Sequence, residues 1–251
     1  MPVHPRKIYD LLLEASQSQA IVREILIGLT WTCCQAEGMG LCMSPGQPTR
    51  ILPWSGTLMQ RSISDLTPWV RSWENYEATI GMAAINAVIN AASPLIQMAQ
   101  PLSPTGPANL AVFEHFLPLI RGQRVVVVGR YPGLTAYEQD IDLTVLERQP
   151  IAQDLPDTAC EYLLPSADWV FLTATSIVNK TFPRLVELSQ QARLVLMGPT
   201  VPWLPILAEM GIDYLAGVAV TDPVALRQTI AEGGGTRIFE TGVQYHVLSL
   251  S

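Results

Sequence analysis

The densest group of chemically useful side chains lies in TATSIVNKT, residues 173–181, where Thr173, Thr175, Ser176 and Asn179 follow an apolar run. Hydroxyl and amide groups in such a place can hydrogen-bond a phosphate, a carboxylate or the edge of a heteroaromatic ring, together with the free N–H groups of the next helix. Capping of that helix, for example by Asn179, explains only part of the set. We therefore predict that this stretch contacts a ligand.

A glycine-rich turn follows another apolar run in VVVVGRYPGL, residues 125–134. Gly129 and Gly133 permit a sharp turn and the close approach of a ligand or a helix, and Arg130 lies between them. A plain strand-to-helix turn, with Pro132 at the start of the helix, explains the same residues. The pattern lacks the three glycines of a dinucleotide-binding loop, so ligand contact and a simple turn both stay open.

Two further groups follow neighbouring apolar runs. Glu147 lies 18 residues beyond Gly129, close to the spacing at which a carboxylate binds ribose hydroxyls. A solvent-exposed position beside Arg148 accounts for Glu147 equally well. Binding of an adenosyl group or of another hydroxyl-bearing ligand stays open. The second group is the turn in MGPTVPW, formed by Gly198, Pro199 and Thr200. This turn either simply ends a strand or forms one wall of a pocket.

Hard divalent cations prefer oxygen ligands, and the sequence offers carboxylates near the predicted ends of helices. Glu77 and Glu161 are the candidate metal ligands. Glu77 shares a helix of small residues with Asn86, and both would face a cleft if that helix packs on a second domain. Helix capping by Glu77, helix packing by Asn86 and a surface position for Glu161 explain these residues equally well.

Soft-metal sites and nucleophilic triads find no support in the sequence. His4, His115 and His246 are scattered, and none has a partner at the spacing of a metal site or of a Ser-His-Asp triad. Adjacent residues of a strand point to opposite faces, so Cys33 and Cys34 cannot easily bind one metal. We predict that they are buried thiols.

Regular alternation of strands and helices in the second half positions these groups. Apolar runs predict strands at about 123–129, 142–147, 168–173, 193–198 and 213–216. Helices are predicted between them at about 134–139, 157–164, 180–191, 202–210 and 222–232. Continuous apolar strands joined by helices indicate a Rossmann-like, doubly wound parallel sheet, in which ligands bind beyond the carboxyl ends of the strands.

The first half has the pattern of a small α+β unit. A helix at about 5–20 precedes a hairpin with strands at about 22–35 and 39–43. Several prolines and no periodicity at 97–110 predict a linker there. We therefore predict two domains, residues 1–100 and 101–251.

Composition limits the class of protein. Charged residues make up 15% of the chain and hydrophobic residues 49%, which predicts extensive burial and leaves an apolar contact between copies of the chain open. A net charge of −7 argues against a general nucleic-acid or anionic-membrane binder. The sequence has no visible signal peptide, no apolar run of about 18 to 20 residues and too few cysteines for a secreted scaffold, so a reducing cytoplasm is expected.

The chain resembles the uncharacterised prokaryotic family of putative heavy-metal chelation proteins in an ordered set of motifs: GLTWT…GMG, SISDLTPWV, IGMAAINAVIN, VVVVGRYPGL, LTVLERQP, CEYLLPSADWVFLTATSIVNKT, VLMGPTVPWLPIL and YLAGVAV. The resemblance covers nearly the whole chain. It implies an enolase-N-terminal-like α+β domain followed by a Rossmann-like domain. It also implies a site between them, formed by the candidate residues named above, with a part in metal handling or chelator metabolism. Arg130 and Tyr131 depart from the smaller apolar residues expected in that family.

Three hypotheses about function follow. The first is binding of a small molecule, a divalent metal or a metal chelate in the cleft between the domains, with a role in heavy-metal chelation. The second is an enzyme acting on a nucleotide-like or pterin-like metabolite, oriented by Thr175 and Asn179, with Glu147 accepting hydrogen bonds from its hydroxyls. The third is a scaffold whose apolar surface serves assembly.

Overall fold

The computed structural model describes residues 4–46, 49 and 51–250. Its helices are α1 Lys7–Ala15, α2 Ile63–Leu66, α3 Asn75–Ala92, α4 Pro94–Met98, α5 Ala111–Ile120, α6 Cys160–Leu163, α7 Thr175–Val178, α8 Phe182–Leu188, α9 Pro223–Ala231 and α10 Ile238–Thr241. Its strands are β1 Glu24–Ile27, β2 Trp31–Gln35, β3 Met39–Met43, β4 Gln100–Pro101, β5 Arg124–Val128, β6 Asp142–Glu147, β7 Leu155–Pro156, β8 Trp169–Thr173, β9 Arg193–Met197, β10 Tyr214–Val220 and β11 Val243–Ser249. Of the described helices, none is both long and apolar enough to cross a bilayer.

Helix α3 packs on a small antiparallel sheet of order β1-β2-β3 in the first part of the chain. The Glu74 side chain accepts hydrogen bonds from the backbone N–H groups of Tyr76 and Glu77 and so caps the helix. Small residues then let α3 approach β3 closely, since a Cβ on Gly40 would lie 2.1 Å from the backbone nitrogen of Ala87. This contact leaves no room for a side chain at residue 40, so the glycine determines how deeply the helix sits on the sheet.

An eight-stranded sheet fills the second part, in the order β4-β11-β10-β9-β8-β5-β6-β7. The strands from β10 to β7 in that order are parallel, and β11 and β4 add antiparallel partners at one edge. β6 follows β5 along the chain, but β8 lies on the other side of β5. The strand order therefore reverses between β5 and β8, which is the position where doubly wound sheets bind ligands.

Residues of both parts of the chain share the two buried clusters on the faces of this sheet. Val126 and Val128 of β5 belong to one cluster, together with Leu12 of α1. Val127 belongs to the other, together with Leu41 of β3. The alternation follows from the pleat of the strand, in which successive side chains point to opposite faces.

The predicted fold class is confirmed, because a small antiparallel sheet is combined with a largely parallel one. Each of the five strands predicted for the second half begins within one residue of its predicted start. Strand β10 runs on to Val220, beyond the predicted end at 216, because it pairs with β11 over its whole length.

The structure differs from the sequence prediction in several places. The helix predicted at about 5–20 ends at Ala15, and only Cys160–Leu163 of the helix predicted at about 157–164 is α-helical. The strand predicted at about 22–35 is two strands, because the chain reverses between β1 and β2, where the N–H of Gly28 donates to the Trp31 carbonyl oxygen. The predicted linker, 97–110, contains the end of α4 and strand β4, whose backbone pairs with β11. The helices predicted at 134–139 and 202–210 are short 3-10 turns: Leu134–Tyr137 and Pro205–Met210.

We expect Gly40→Ala to lower the free energy of unfolding by about 1–3 kcal/mol or more, because the new methyl group would overlap the backbone of α3. Urea denaturation measures this quantity. Gly106→Ala is the matched control, since a Cβ there would meet only Oε2 of Glu114, at 3.4 Å, and should change stability by less than about 0.5 kcal/mol. Equal stability of the two variants would contradict the close approach of α3 to β3.

Candidate functional site

Three of the predicted ligand-binding stretches leave the sheet side by side. Strand β5 pairs with β8, and β8 pairs with β9, so the loops that follow them meet at one edge. We call residues 129–133, 173–181 and 198–203 the carboxyl-edge loops. Gly129 has a φ of 98° and Gly198 a φ of 109°, left-handed values that glycine adopts without strain.

Tyr131 of the first carboxyl-edge loop lies across the end of β8. Its side chain forms a hydrogen bond with Thr173 and packs edge-on against Phe113, with ring centroids 5.4 Å apart. Its hydroxyl oxygen is 3.5 Å from the position that a Cβ of Gly198 would take. Burial raises the pKa of Tyr131 above its ordinary value, so the phenol is neutral at neutral pH. The loop therefore places a neutral hydroxyl group where the strand order reverses.

Arg130 and Glu147 stabilise the same loop. One oxygen of Glu147 accepts a hydrogen bond from the backbone N–H of Arg130 at 2.9 Å, and the other accepts one from Arg148 N–H at 2.7 Å. The Arg130 guanidinium forms an ion pair with Asp154, which is almost fully buried. Gly133, with a φ of 88°, then starts the following 3-10 turn. These predicted site residues thus make internal contacts that fix the shape of the loop.

Some polar groups of the second carboxyl-edge loop form hydrogen bonds within the loop, and others are available to contact a ligand. Ser176 is buried, and its hydroxyl donates to the Thr173 carbonyl oxygen at 2.7 Å. Asn179 Oδ1 accepts hydrogen bonds from the N–H and the hydroxyl of Thr181, so it turns the chain into α8. The hydroxyls of Thr173 and Thr175 are 3.2 Å apart and half-buried, which makes them the candidate ligand contacts of this loop.

The end of β3 meets the second and third loops at Met43. The Thr175 hydroxyl donates to the Met43 sulfur at 3.8 Å, and the Met43 N–H donates to the Thr200 hydroxyl at 3.1 Å. Met43 nevertheless remains 40% exposed. Reasoning from the sequence missed this residue, because only the packing of β3 against the larger sheet reveals it.

Amide side chains of α3 fix the third loop. Asn86 is fully buried and donates to the carbonyl oxygens of Leu41 and Thr200, each at 2.9 Å. Asn90 accepts a hydrogen bond from the backbone N–H of Trp203 at 3.0 Å. The Oδ1 atom of Asn86 has no hydrogen-bond partner among the described residues, so one acceptor of this predicted site residue stays unused.

A cavity of about 300 Å³ lies beside the third loop. Leu41 and Asn90 line it from the first part of the chain, and Pro199, Val218 and Val220 line it from the second. Small-molecule sites begin at about this volume, roughly 300 Å³. The predicted site residue Pro199 therefore lines a half-open space with residues from both parts of the chain.

The two predicted metal ligands contact other side chains. Glu77 accepts a hydrogen bond from the Ser72 hydroxyl at 2.6 Å. Glu161 receives two hydrogen bonds from the Arg184 guanidinium, and these lower the pKa of Glu161. Across residues 4–46, 49 and 51–250, no group of three or more His, Cys, Asp or Glu side chains could hold a metal ion.

Burial also keeps the thiols protonated. Desolvation is the main reason that the pKa values of Cys33, Cys34 and Cys42 are raised to about 12. The thiolate is the form that binds soft metals, and these thiols are neutral at neutral pH. The prediction that Cys33 and Cys34 are buried thiols is confirmed.

Lys180, near the end of the second loop, is a candidate group that reasoning from the sequence missed. Its amine donates to the Val70 carbonyl oxygen at 2.5 Å and lies 5.0 Å from the ring centroid of Tyr9. Desolvation lowers the pKa of Lys180 from 10.5 to about 8, and no carboxylate pairs with it within the described part of the chain. One feature of the sequence could have drawn attention to Lys180: it is one of only two lysines among 15 lysine and arginine residues.

The fold and this edge define a mixed α/β protein in which a small antiparallel sheet and α3 meet the carboxyl end of a largely parallel sheet. The chain belongs to the DUF364 family, described as putative heavy-metal chelation, whose profile matches residues 111–249. A second profile with the same description, DUF4213, matches residues 9–89. The family membership predicted from the motifs is confirmed.

Solved structures of two relatives have the same fold. A DUF364-family protein of unknown function from Desulfitobacterium hafniense is 32% identical, with a TM-score of 0.86 over 97% of this chain and 98% of that chain. Another, from Pyrococcus horikoshii, is 21% identical, with a TM-score of 0.78 over 98% and 99% of the two chains. An uncharacterized protein of Methanocaldococcus jannaschii is 25% identical over 174 residues, which span 65% of this chain and 62% of that protein.

We expect Lys180 to make stability depend on pH. Its pKa is lower in the folded protein than its ordinary value of 10.5, so the unfolded chain binds more protons between about pH 8 and 10.5. The contribution of Lys180 to the free energy of unfolding therefore rises with pH in that window and is constant below it.

Urea denaturation of the wild type and of Lys180→Met, at several values between about pH 7 and 10, tests this expectation. The difference in unfolding free energy, wild type minus variant, should rise with pH. Taking the difference cancels the titration of tyrosines and thiols common to both proteins. A difference independent of pH would contradict the lowered pKa.

Proposed function

We propose that the protein binds a small polar or anionic organic molecule, with a metal chelate as the favoured ligand, where β3 and α3 meet the carboxyl-edge loops. The observation that carries this proposal is the junction at Met43, whose N–H and sulfur contact two loops while its side chain stays exposed. Thr173, Thr175 and Tyr131 lie along the same edge, where doubly wound sheets bind ligands. In this proposal residues 1–100 and 101–251 are two domains with the ligand between them.

The groups at this edge fit a polar organic ligand. Hydroxyls of threonine and tyrosine both donate and accept hydrogen bonds, so they can bind carboxylate, phosphate or carbonyl oxygens. The Met43 thioether and the cavity beside Pro199 add apolar surface.

A chelate fits the available groups better than a bare metal ion does. Direct binding of a divalent ion needs several oxygen, nitrogen or thiolate ligands in one place. No such group of three occurs among the described residues, and the buried thiols are protonated at neutral pH. A metal that arrives with its own ligands needs only hydrogen bonds and apolar contacts from the protein. The family description, putative heavy-metal chelation, is the reason to test metal complexes among the possible polar ligands.

The second hypothesis, an enzyme acting on a nucleotide-like or pterin-like metabolite, needs Glu147 as an acceptor for ligand hydroxyls. Both oxygens of Glu147 already accept hydrogen bonds from backbone N–H groups. Tyr131 also lies where a nucleotide would enter at the reversal of strand order. We therefore favour ligand binding over this reaction.

Calorimetric titration of dialysed protein tests the proposal, with nickel and iron ions alone and as their citrate and nitrilotriacetate complexes. We expect the complexes to bind stoichiometrically and the ions alone not to do so. Thr175→Val should weaken binding of the complexes by about 3- to 10-fold, because one hydrogen bond contributes roughly 0.5–1.5 kcal/mol.

Thr135→Val, at an exposed position in the Leu134–Tyr137 turn, is the matched control and should bind as the wild type does. Absence of heat with every ion and every complex would overturn the proposal. Stoichiometric binding of the ions alone, unaffected by Thr175→Val, would overturn the preference for a chelate.

A further inference from the structure

The amine at the end of the second carboxyl-edge loop can do chemistry that ligand binding does not require. We propose that Lys180 is a nucleophilic amine that captures a small aldehyde or ketone as a Schiff base. This inference goes beyond the proposed function and does not depend on it, because it concerns a covalent reaction of one side chain.

The groups that the described structure places against the Lys180 amine are neutral. They are the Val70 carbonyl oxygen at 2.5 Å, the Tyr9 ring at 5.0 Å and the Cys42 thiol. Burial raises the pKa values of Tyr9 and Cys42 to about 12, so neither side chain supplies a counter-ion at neutral pH. Desolvation without a counter-ion favours the neutral amine, which is the nucleophilic form.

The residue type at position 180 is unusual for this chain. Only two of its 15 lysine and arginine residues are lysines, Lys7 and Lys180. The partly buried Arg130 has an ion-pair partner, Asp154, whereas Lys180 has none in the part of the chain that the structure describes. Arginine cannot lose its proton in a protein, but a desolvated lysine can. Lysine is therefore the basic residue that can supply a neutral amine here.

The backbone of Lys180 provides an independent observation. Its φ is 71°, in the left-handed region that favours glycine and costs a lysine free energy. This conformation is accompanied by a contact between the amine and Val70, 110 residues away in the sequence. Strained residues that their surroundings hold in place cluster at functional sites.

A buried hydroxyl group belongs to the same cluster. Thr79 is 1% exposed, and its side chain lies within hydrogen-bond reach of the Cys42 thiol. Burial raises the pKa of Cys42, whereas Thr79 and Lys180 each act to lower it. Both groups therefore lie beside the thiol. A threonine hydroxyl that accepts a hydrogen bond from the neutral thiol can still donate its own hydrogen to the oxygen of a carbonyl compound.

The reaction needs no oxidant, reductant or metal. The lone pair of neutral Nζ attacks the carbonyl carbon, and the C=O π electrons move to oxygen. Proton transfer from nitrogen to oxygen gives the carbinolamine. Its hydroxyl group takes a second proton from solvent water and leaves as water while the nitrogen lone pair forms the C=N bond. The protonated imine then returns one proton to the solvent, so one amine and one carbonyl compound give one imine and one water.

Reductive trapping of the full-length protein tests the inference. Glyoxylate and cyanoborohydride are added near neutral pH, without metal or chelator, and the modified residues are identified by peptide mass spectrometry. We expect Lys180 to be modified at least about tenfold faster than Lys7, which is exposed, because a larger fraction of a desolvated amine is neutral. Both rates come from one sample, so the comparison needs no variant.

Lys180→Arg serves as a second measurement, since it keeps the positive charge but cannot form the imine. The fast phase of modification should disappear in this variant while the slow modification of Lys7 stays the same. Modification of Lys180 at or below the rate of Lys7 would overturn the inference. Failure of the chelate titration would leave this result unaffected, because the trapping reaction contains neither metal nor chelator.

Discussion

One buried amide side chain ties the two parts of the structure together. Asn86 of α3 donates to a carbonyl oxygen of β3, at Leu41, and to a carbonyl oxygen of the third carboxyl-edge loop, at Thr200. A buried carbonyl group left without a partner costs about 1–3 kcal/mol, so these two bonds fix the loop relative to β3. The arrangement requires α3 to lie deep against the sheet, which the missing side chain of Gly40 permits. Met43 meets Thr200 as a consequence, since it follows Leu41 on the same short strand.

The first carboxyl-edge loop places protein side chains where the strand order reverses. In doubly wound sheets a ligand lies where the strand order reverses. Here Tyr131 lies across that point, hydrogen-bonded to Thr173, and Glu147 binds the backbone N–H of Arg130. A side chain of the protein thus lies beside that point. The cavity that residues from both parts of the chain line lies beside the third loop, where Pro199 contacts it together with residues of α3 and β3.

Sequence periodicity predicted the larger sheet well, because its strands are continuous apolar runs such as Val125–Val128 that need no information about partners. It could not predict the pairing of Gln100–Pro101 with β11, since that contact joins residues far apart in the chain. The same limit applies to the site. Thr173 and Thr175 were predicted as candidates from their types, but Lys180 was not, because its burial depends on α1 and on the backbone of Val70.

The carboxylates of the chain also constrain what the edge can bind. Arg184 binds Glu161 with two hydrogen bonds, which lower the pKa of Glu161. Asp154 pairs with Arg130, and Glu147 binds backbone N–H groups. Each of these acids would have to lose a charged or hydrogen-bonded partner before it could bind a metal ion. Under the proposed function, a metal therefore reaches the edge with ligands of its own, and the protein recognises those ligands.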